Sequence, residues 1–184
     1  MRLEILTSGH RFNTKILFAF LRILRRPVSD LLKLMVYRPD FYPGAMRGPS
    51  AWSVGDRELM AAFVSKMNEC PFCLGAHTTT AERAYRDEVK VAAVLTNLET
   101  APIEEPLRAT LHMLRKLTRE NEVHVNDMRA VLSAGVSREQ IEDALAVCFS
   151  FNTINRLADA FDFIVLDSQG FESLAKFILT RGYR

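Results

Sequence analysis

Apolar residues recur at helical spacing in every long segment of this chain, and this periodicity limits the possible fold more than any other feature. The short apolar pieces all lie inside patterns with a period of about 3.6 residues. No run of alternating apolar and polar residues is bounded by turn residues, as a strand would be. The sequence therefore predicts an all-α protein, built as a helical bundle.

Capping residues and chain breakers divide the chain into predicted helices. Residues 38–52 contain three prolines and two glycines and are predicted to form a loop. Two capping boxes, Ser53 with Asp56 and Ser137 with Gln140, mark helix starts, and Asn126 is a predicted N-cap. The predicted helices cover residues 14–26, 28–37, 55–68, 70–86, 87–98, 104–119, 126–135, 137–163 and 168–181.

The length of 184 residues indicates one domain with an extension. Residues 1–37 are predicted to be an N-terminal helical extension that packs on the core or on a partner subunit, and residues 38–184 to be the helical domain. Because residues 16–24 are apolar over most of the helix girth, they need a cover, and we expect a homo-oligomer. The basic residues within 15–26 leave a membrane-surface helix as a less favoured alternative.

The charge balance excludes some classes of partner. Twenty-four basic residues face twenty-two acidic ones, so no nucleic-acid-binding surface is indicated. No secretory signal and no spanning segment is convincing, so a cytoplasmic protein without a membrane role is predicted. Three cysteines are too few for a disulfide framework, and two of them, Cys70 and Cys73, are three residues apart.

The segment from Cys70 to His77 carries the chemistry of the chain. Pro71 suits a first helical turn, and offsets of three, four and seven place Cys70, Cys73 and His77 on one helix face. A helix N-terminus favours a thiolate, and a histidine four residues after Cys73 can share its proton. A catalytic dithiol is the favoured interpretation. Zinc binding and two inert core cysteines remain alternatives, whereas haem attachment would need a histidine where Leu74 stands.

A second candidate site residue, Glu58, lies twelve residues before Cys70 on the preceding predicted helix. A carboxylate near His77 would orient the imidazole. Taken alone, a glutamate in a first helical turn is more often a solvated partner of the helix dipole. The Cys-Pro-Phe-Cys sequence is similar to a glutaredoxin motif, but the segment before it is patterned as a helix, which disfavours a thioredoxin-like fold.

Glu58, Cys70, Cys73 and His77 together form the pattern E-x11-C-x-x-C-x-x-x-H. This pattern resembles the alkylhydroperoxidase D-like members of the carboxymuconolactone decarboxylase superfamily. The sequences of residues 56–59, 68–77 and 152–160 are similar to those of the peroxidase-related branch. The resemblance covers roughly residues 38–165.

The resemblance implies an all-α oligomer that reduces hydroperoxides with a dithiol and without a cofactor or metal. It assigns peroxide attack to Cys73, resolution to Cys70 and proton transfer to His77 and Glu58. The reductant would be an external dithiol, for which a lipoyl-bearing protein is one candidate. Phe72 stands where alkylhydroperoxidase D has a further relay histidine, so that relay is not carried over. Decarboxylase members lack the cysteine pair, which disfavours decarboxylation. A general disulfide oxidoreductase and a non-catalytic structural or zinc-stabilised oligomer are the alternatives.

Overall fold

The computed structural model describes residues 41–183, and within them the fold is all-helical, as predicted. The predicted helices 14–26 and 28–37, and with them the N-terminal extension, lie outside the described residues. The eight helices are α1 (Phe41–Arg47), α2 (Val54–Met67), α3 (Pro71–Tyr85), α4 (Glu88–Thr96), α5 (Glu105–Glu120), α6 (Val125–Ser133), α7 (Arg138–Ala160) and α8 (Ser168–Arg181).

Helix α2 is the central element of the fold. It packs against α3, α5 and α7, and also contacts α1 and α4. Nine consecutive residues, 57–65, are buried. A helix buried around its whole circumference places any polar side chain it carries inside the protein. Three such side chains, Arg57, Glu58 and Ser65, therefore enter the interior with it.

The predicted capping boxes are both present. The Ser53 hydroxyl accepts from the Asp56 N–H at the start of α2, and Ser137 and Gln140 form the same exchange at the start of α7. The predicted N-cap Asn126 is wrong. Helix α6 has His124 as its N-cap residue, because the Asp127 carboxylate accepts from the His124 N–H at 2.7 Å.

The predicted loop 38–52 is wrong where α1 forms. Pro43 is the third residue of α1, in the first turn, where a helix leaves N–H groups without partners anyway. Met46 is fully buried, and α1 packs on α2 and α7. Tertiary packing thus overrides the unfavourable local preferences of proline and glycine.

Helix α8 crosses α3 at a glycine. A Cβ at Gly75 would lie 2.4 Å from the ring of Phe171, so only glycine permits this approach. Arg83 on α3 forms an ion pair with Glu172 on α8 along the same contact. Because Cys73 and His77 flank Gly75 on α3, this crossing sets the distance between α8 and the cysteine motif.

We expect Gly75→Ala to lower the free energy of unfolding by about 1 kcal/mol, because overpacking at Phe171 outweighs the gain in helix propensity. Gly44 in α1 is the matched control, because a Cβ added there would meet no other part of the protein within 4 Å. Gly44→Ala should raise the free energy of unfolding by about 0.5–1 kcal/mol. Urea unfolding measures both variants, and equal signs would contradict the proposed close approach.

Candidate active site

The two cysteines of the motif lie at the start of α3. Cys70 is the N-cap residue, and Pro71 occupies the first helical position. The Cys70 N–H donates to the Ser65 carbonyl at 3.1 Å, which ties the motif to the end of α2. Both thiols are free and buried, with Cys70 0% and Cys73 3% exposed. Tertiary structure thus places the pair against the core, next to Ala158.

The hydrogen bonds of the two thiols are unequal. Burial, together with the interactions of the thiol with Cys73 and Asp159, raises the pKa of Cys70 to about 12, whereas the Cys73 N–H opposes the rise. Burial also raises the pKa of Cys73, but donation from Cys70 and Asn155 opposes that rise. Cys70 therefore keeps its proton and stabilises negative charge on Cys73.

A network of amides holds Asn155 in place beside Cys73. Asn155 is fully buried on α7, and its amide donates to the Ser65 hydroxyl at 3.0 Å. Its carbonyl oxygen accepts from Asn68 at 2.9 Å, and the same Asn68 amide donates to Asn152 at 3.1 Å. These bonds fix which side of the Asn155 amide faces the thiol.

Glu58 and His77 form a buried pair. The Glu58 Oε2 lies 2.7 Å from the His77 Nδ1, and the Glu58 side chain is 0% exposed. The alternative of a solvated first-turn acid is therefore wrong. On the other oxygen, Oε1 accepts from Arg47 at 2.5 Å and from the Tyr183 hydroxyl at 2.6 Å.

These partners keep the Glu58 carboxylate ionised despite its burial. Burial by itself raises the pKa of Glu58, but the hydrogen bond and charge of His77, then Arg47, then the Tyr183 hydroxyl, outweigh it. The pKa of Glu58 consequently lies below its ordinary value. A buried carboxylate of this kind is tolerated only while its partners remain in place.

The His77 ring is held from the side by Phe151, edge to face at 4.4 Å between centroids. Because Nδ1 is engaged by Glu58, Nε2 is the nitrogen left to accept a proton. His77 and Cys73 line the same pocket. The Cys73 sulfur has Cys70 and Asn155 as its hydrogen-bond partners. His77 shares the pocket with Cys73 but does not bond to it directly, so the proton sharing expected from their spacing is not seen.

The pocket above Cys73 is apolar and has a volume of about 330 Å³. Phe72, in the position of the missing relay histidine, contacts the ring of Phe163 at 5.2 Å. The remaining walls come from α1, α3, α7 and α8 and from the chain after α8. The lining residues are Tyr42, Phe72, Cys73, Ala76, His77, Ile154, Phe163, Leu174, Phe177, Ile178, Gly182 and Tyr183.

Sequence reasoning does not reach several side chains that the structure adds to the site. Arg47 lies in a segment predicted to be a loop, and Tyr183 follows the last predicted helix. Asp159 and Asn155 lie within residues 152–160, a segment whose sequence contributes to the family resemblance. That similarity is the one sequence signal that points to them.

The described part of the chain shows no metal-binding cluster: no group of three or more His, Cys, Asp or Glu side chains within residues 41–183 is arranged to hold an ion. The zinc alternative therefore lacks a donor set there. Among the same residues, no helix is both long and apolar enough to cross a bilayer.

Residues 34–116 match the model of the carboxymuconolactone decarboxylase family. The predicted superfamily resemblance is confirmed. An uncharacterized peroxidase-related protein from Silicibacter sp. TM1040 is 27% identical, with a TM-score of 0.68 over 79% of this chain and 75% of that one. Another, from Ralstonia eutropha JMP134, described as an alkylhydroperoxidase AhpD core, shares the fold at 23% identity and a TM-score of 0.66, over 77% and 78%. No curated protein matches the chain.

The ionised Glu58 should make the stability of the protein depend on acid. Its folded pKa lies below the unfolded value of about 4.3, so its contribution is complete above that pH and is lost as the pH falls through the folded pKa. In urea unfolding, the stability difference between wild type and Glu58→Gln should be present at pH 5, above the ordinary glutamate range, and should shrink in more acidic buffer. The exposed Glu142→Gln is the control, with a small difference throughout. A Glu58→Gln difference that persists unchanged into acid would contradict this account.

Proposed function

We propose that this protein is a thiol-dependent peroxidase that reduces hydroperoxides through a dithiol–disulfide cycle of Cys70 and Cys73. One observation carries the proposal: Cys70 and Cys73 are buried in one cluster, and Cys73 lines a pocket that the Glu58-paired His77 also lines. That arrangement supplies two neighbouring thiols, one to attack and one to resolve, and an imidazole nitrogen to receive a proton.

The proposed reaction begins with proton transfer from Cys73 to His77 Nε2, carried by a water or by the hydroperoxide in the pocket that both side chains line. The Cys73 thiolate attacks one peroxide oxygen, the O–O bond breaks, and the leaving alkoxide takes the proton from His77 to become an alcohol. Cys73 is then a sulfenic acid. The Cys70 sulfur attacks the Cys73 sulfur to form a disulfide, and the sulfenic hydroxyl leaves with the Cys70 proton as water. An external dithiol reduces the disulfide by exchange.

Asp159 fits the resolving step. Its carboxylate accepts from the Cys70 S–H, and Asp159 is exposed at the end of α7 whereas Cys70 is buried. The carboxylate can thus take the Cys70 proton and pass it to the departing hydroxyl. Phe72 contributes apolar surface to the pocket in place of a relay group, so proton transfer is assigned to His77 and Glu58.

The homo-oligomer, the cytoplasmic location and the dithiol reductant belong to this proposal. Four exposed apolar side chains lie after α7 and on α8 near the pocket: Phe163, Ile164, Val165 and Phe177. Light scattering across a range of protein concentrations tests the assembly.

Reduction of the oxidised protein by dihydrolipoamide and by glutathione, compared directly, tests the class of reductant.

Single-cysteine variants should separate attack from resolution. Cys73→Ser should abolish peroxide consumption, whereas Cys70→Ser should permit one turnover and leave a sulfenic acid on Cys73. Stopped-flow kinetics with mass spectrometry of trapped sulfenic acid measures both. Cys148→Ser is the matched control and should keep full turnover, since Cys148 is buried beside Thr118 and Asn152. A first-step rate retained in Cys73→Ser would reverse the assignment, and a persistent disulfide to Cys148 would contradict the cycle.

The apolar pocket should favour organic hydroperoxides over hydrogen peroxide. Burying about 60 Å² of hydrocarbon, at roughly 25 cal/mol per Å², corresponds to about a tenfold gain in kcat/KM. Phe163→Ser, at a position 48% exposed, removes one pocket wall with little expected loss of stability. This variant should lower kcat/KM for cumene hydroperoxide and leave the value for hydrogen peroxide within about twofold, since the smaller substrate buries little apolar surface. Equal losses for both substrates would contradict a binding role for the pocket.

A further inference from the structure

Tyr183 reaches the Glu58–His77 pair from far along the chain. Its hydroxyl donates to Glu58 Oε1 at 2.6 Å, across 125 positions of sequence. The same hydroxyl lies 3.4 Å from His77 Nδ1. It thus meets both members of the buried pair and also lines the pocket that contains Cys73.

The ring of Tyr183 is held in place on several sides. The Arg47 guanidinium lies over it at 4.8 Å from the centroid, and Tyr42 packs edge to face at 4.6 Å. The His77 ring is stacked beside it at 6.2 Å between centroids. Gly182, at φ +71°, ends α8 in a conformation that L side chains rarely adopt and directs the chain towards the site. These contacts make Tyr183 part of a built arrangement.

The Glu58 carboxylate divides its oxygens between two tasks. Oε1 accepts from Tyr183 and Arg47, while Oε2 faces His77. A carboxylate with two donors on one oxygen cannot rotate without breaking both bonds, so the other oxygen stays on Nδ1. With Nδ1 engaged, the imidazole presents Nε2 for proton transfer.

We propose that Tyr183 is a positioning residue of the active site, which holds the Glu58 carboxylate ionised and turned towards His77. The proposal deepens the peroxidase function and rests on it for the catalytic consequence. Tyr183 acts through Glu58 and His77, because its hydroxyl is committed to the carboxylate.

The electrostatics of the cluster agree with that role. Burial and then the Glu58 charge raise the pKa of Tyr183 far above its ordinary value, so the phenol stays a hydrogen-bond donor. Burial likewise raises the pKa of Tyr42. The titratable and charged groups that face Glu58 from the surrounding elements are Tyr42 and Arg47 on α1, Arg57 on α2, His77 on α3 and Tyr183 after α8.

Tyr183→Phe tests the proposal, since it keeps the ring and removes only the hydroxyl. Tyr85→Phe is the matched control: the Tyr85 hydroxyl also donates to a carboxylate, that of Asp56 at 2.5 Å. Glutamate labelled with ¹³C at the side-chain carboxyl reports each titration by NMR, and Glu58→Gln assigns the Glu58 signal. Circular dichroism melting verifies that both variants fold.

Loss of one donor leaves the burial of Glu58 less compensated, so its titration should move to higher pH in Tyr183→Phe, by about half a pH unit or more. It should not move in Tyr85→Phe. The kcat/KM for hydroperoxide should fall about tenfold in Tyr183→Phe, with its acid limb displaced in the same direction. A Glu58 titration that coincides in wild type and Tyr183→Phe would overturn the proposal.

The two measurements separate this proposal from the peroxidase function. A wild-type protein that does not consume hydroperoxide would contradict the function, while the NMR titration would still decide whether Tyr183 acts on Glu58. A displaced titration with unchanged kcat/KM and acid limb would also overturn the positioning role, because the carboxylate would then not control the reaction.

Discussion

The buried charge of Glu58 is the constraint on which the rest of the structure depends. An isolated carboxylate in a protein interior costs far more than a small domain can tolerate. Here Arg47, His77 and Tyr183 offset that cost from three separate parts of the described chain. The chemistry and the fold are consequently linked: the same contacts that hold α1 and the chain after α8 on the core also determine the orientation of the imidazole.

Helix α2 explains why this arrangement is possible. Its burial on all sides brings Glu58 to one end of the site and Ser65 to the other, about two helical turns apart. Glu58 pairs with His77. The Ser65 hydroxyl accepts from Asn155 beside Cys73, and the Ser65 carbonyl accepts from the Cys70 N–H. A single rigid helix therefore supports both the acid–base pair and the thiols, which is how a preorganised site is usually built.

Local sequence patterns predict much of this molecule, and the limits of the prediction have physical causes. Period and capping residues predict α2 and α7 closely, because their signals are local. These local signals do not predict helix α1, because burial of Met46 outweighs the low helix propensity of Pro43 and Gly44. The contact of Glu58 with His77 spans two helices, and that with Tyr183 spans 125 positions, so both depend on helix crossings that spacing does not encode. A family resemblance predicts the first contact, whereas the second follows only from the tertiary structure.

The amides between α2 and α7 form a hydrogen-bond chain with a fixed polarity. It runs from Cys148 through Asn152 and Asn68 to Asn155 and the Cys73 sulfur. Both Asn68 bonds are donations, so an aspartate there, of nearly identical shape, could only accept. The Asn155 amide would then have to turn over and present oxygen instead of nitrogen to the thiol. Deamidation at this one position would thus reverse the polarity of the environment behind Cys73 while leaving the packing almost untouched.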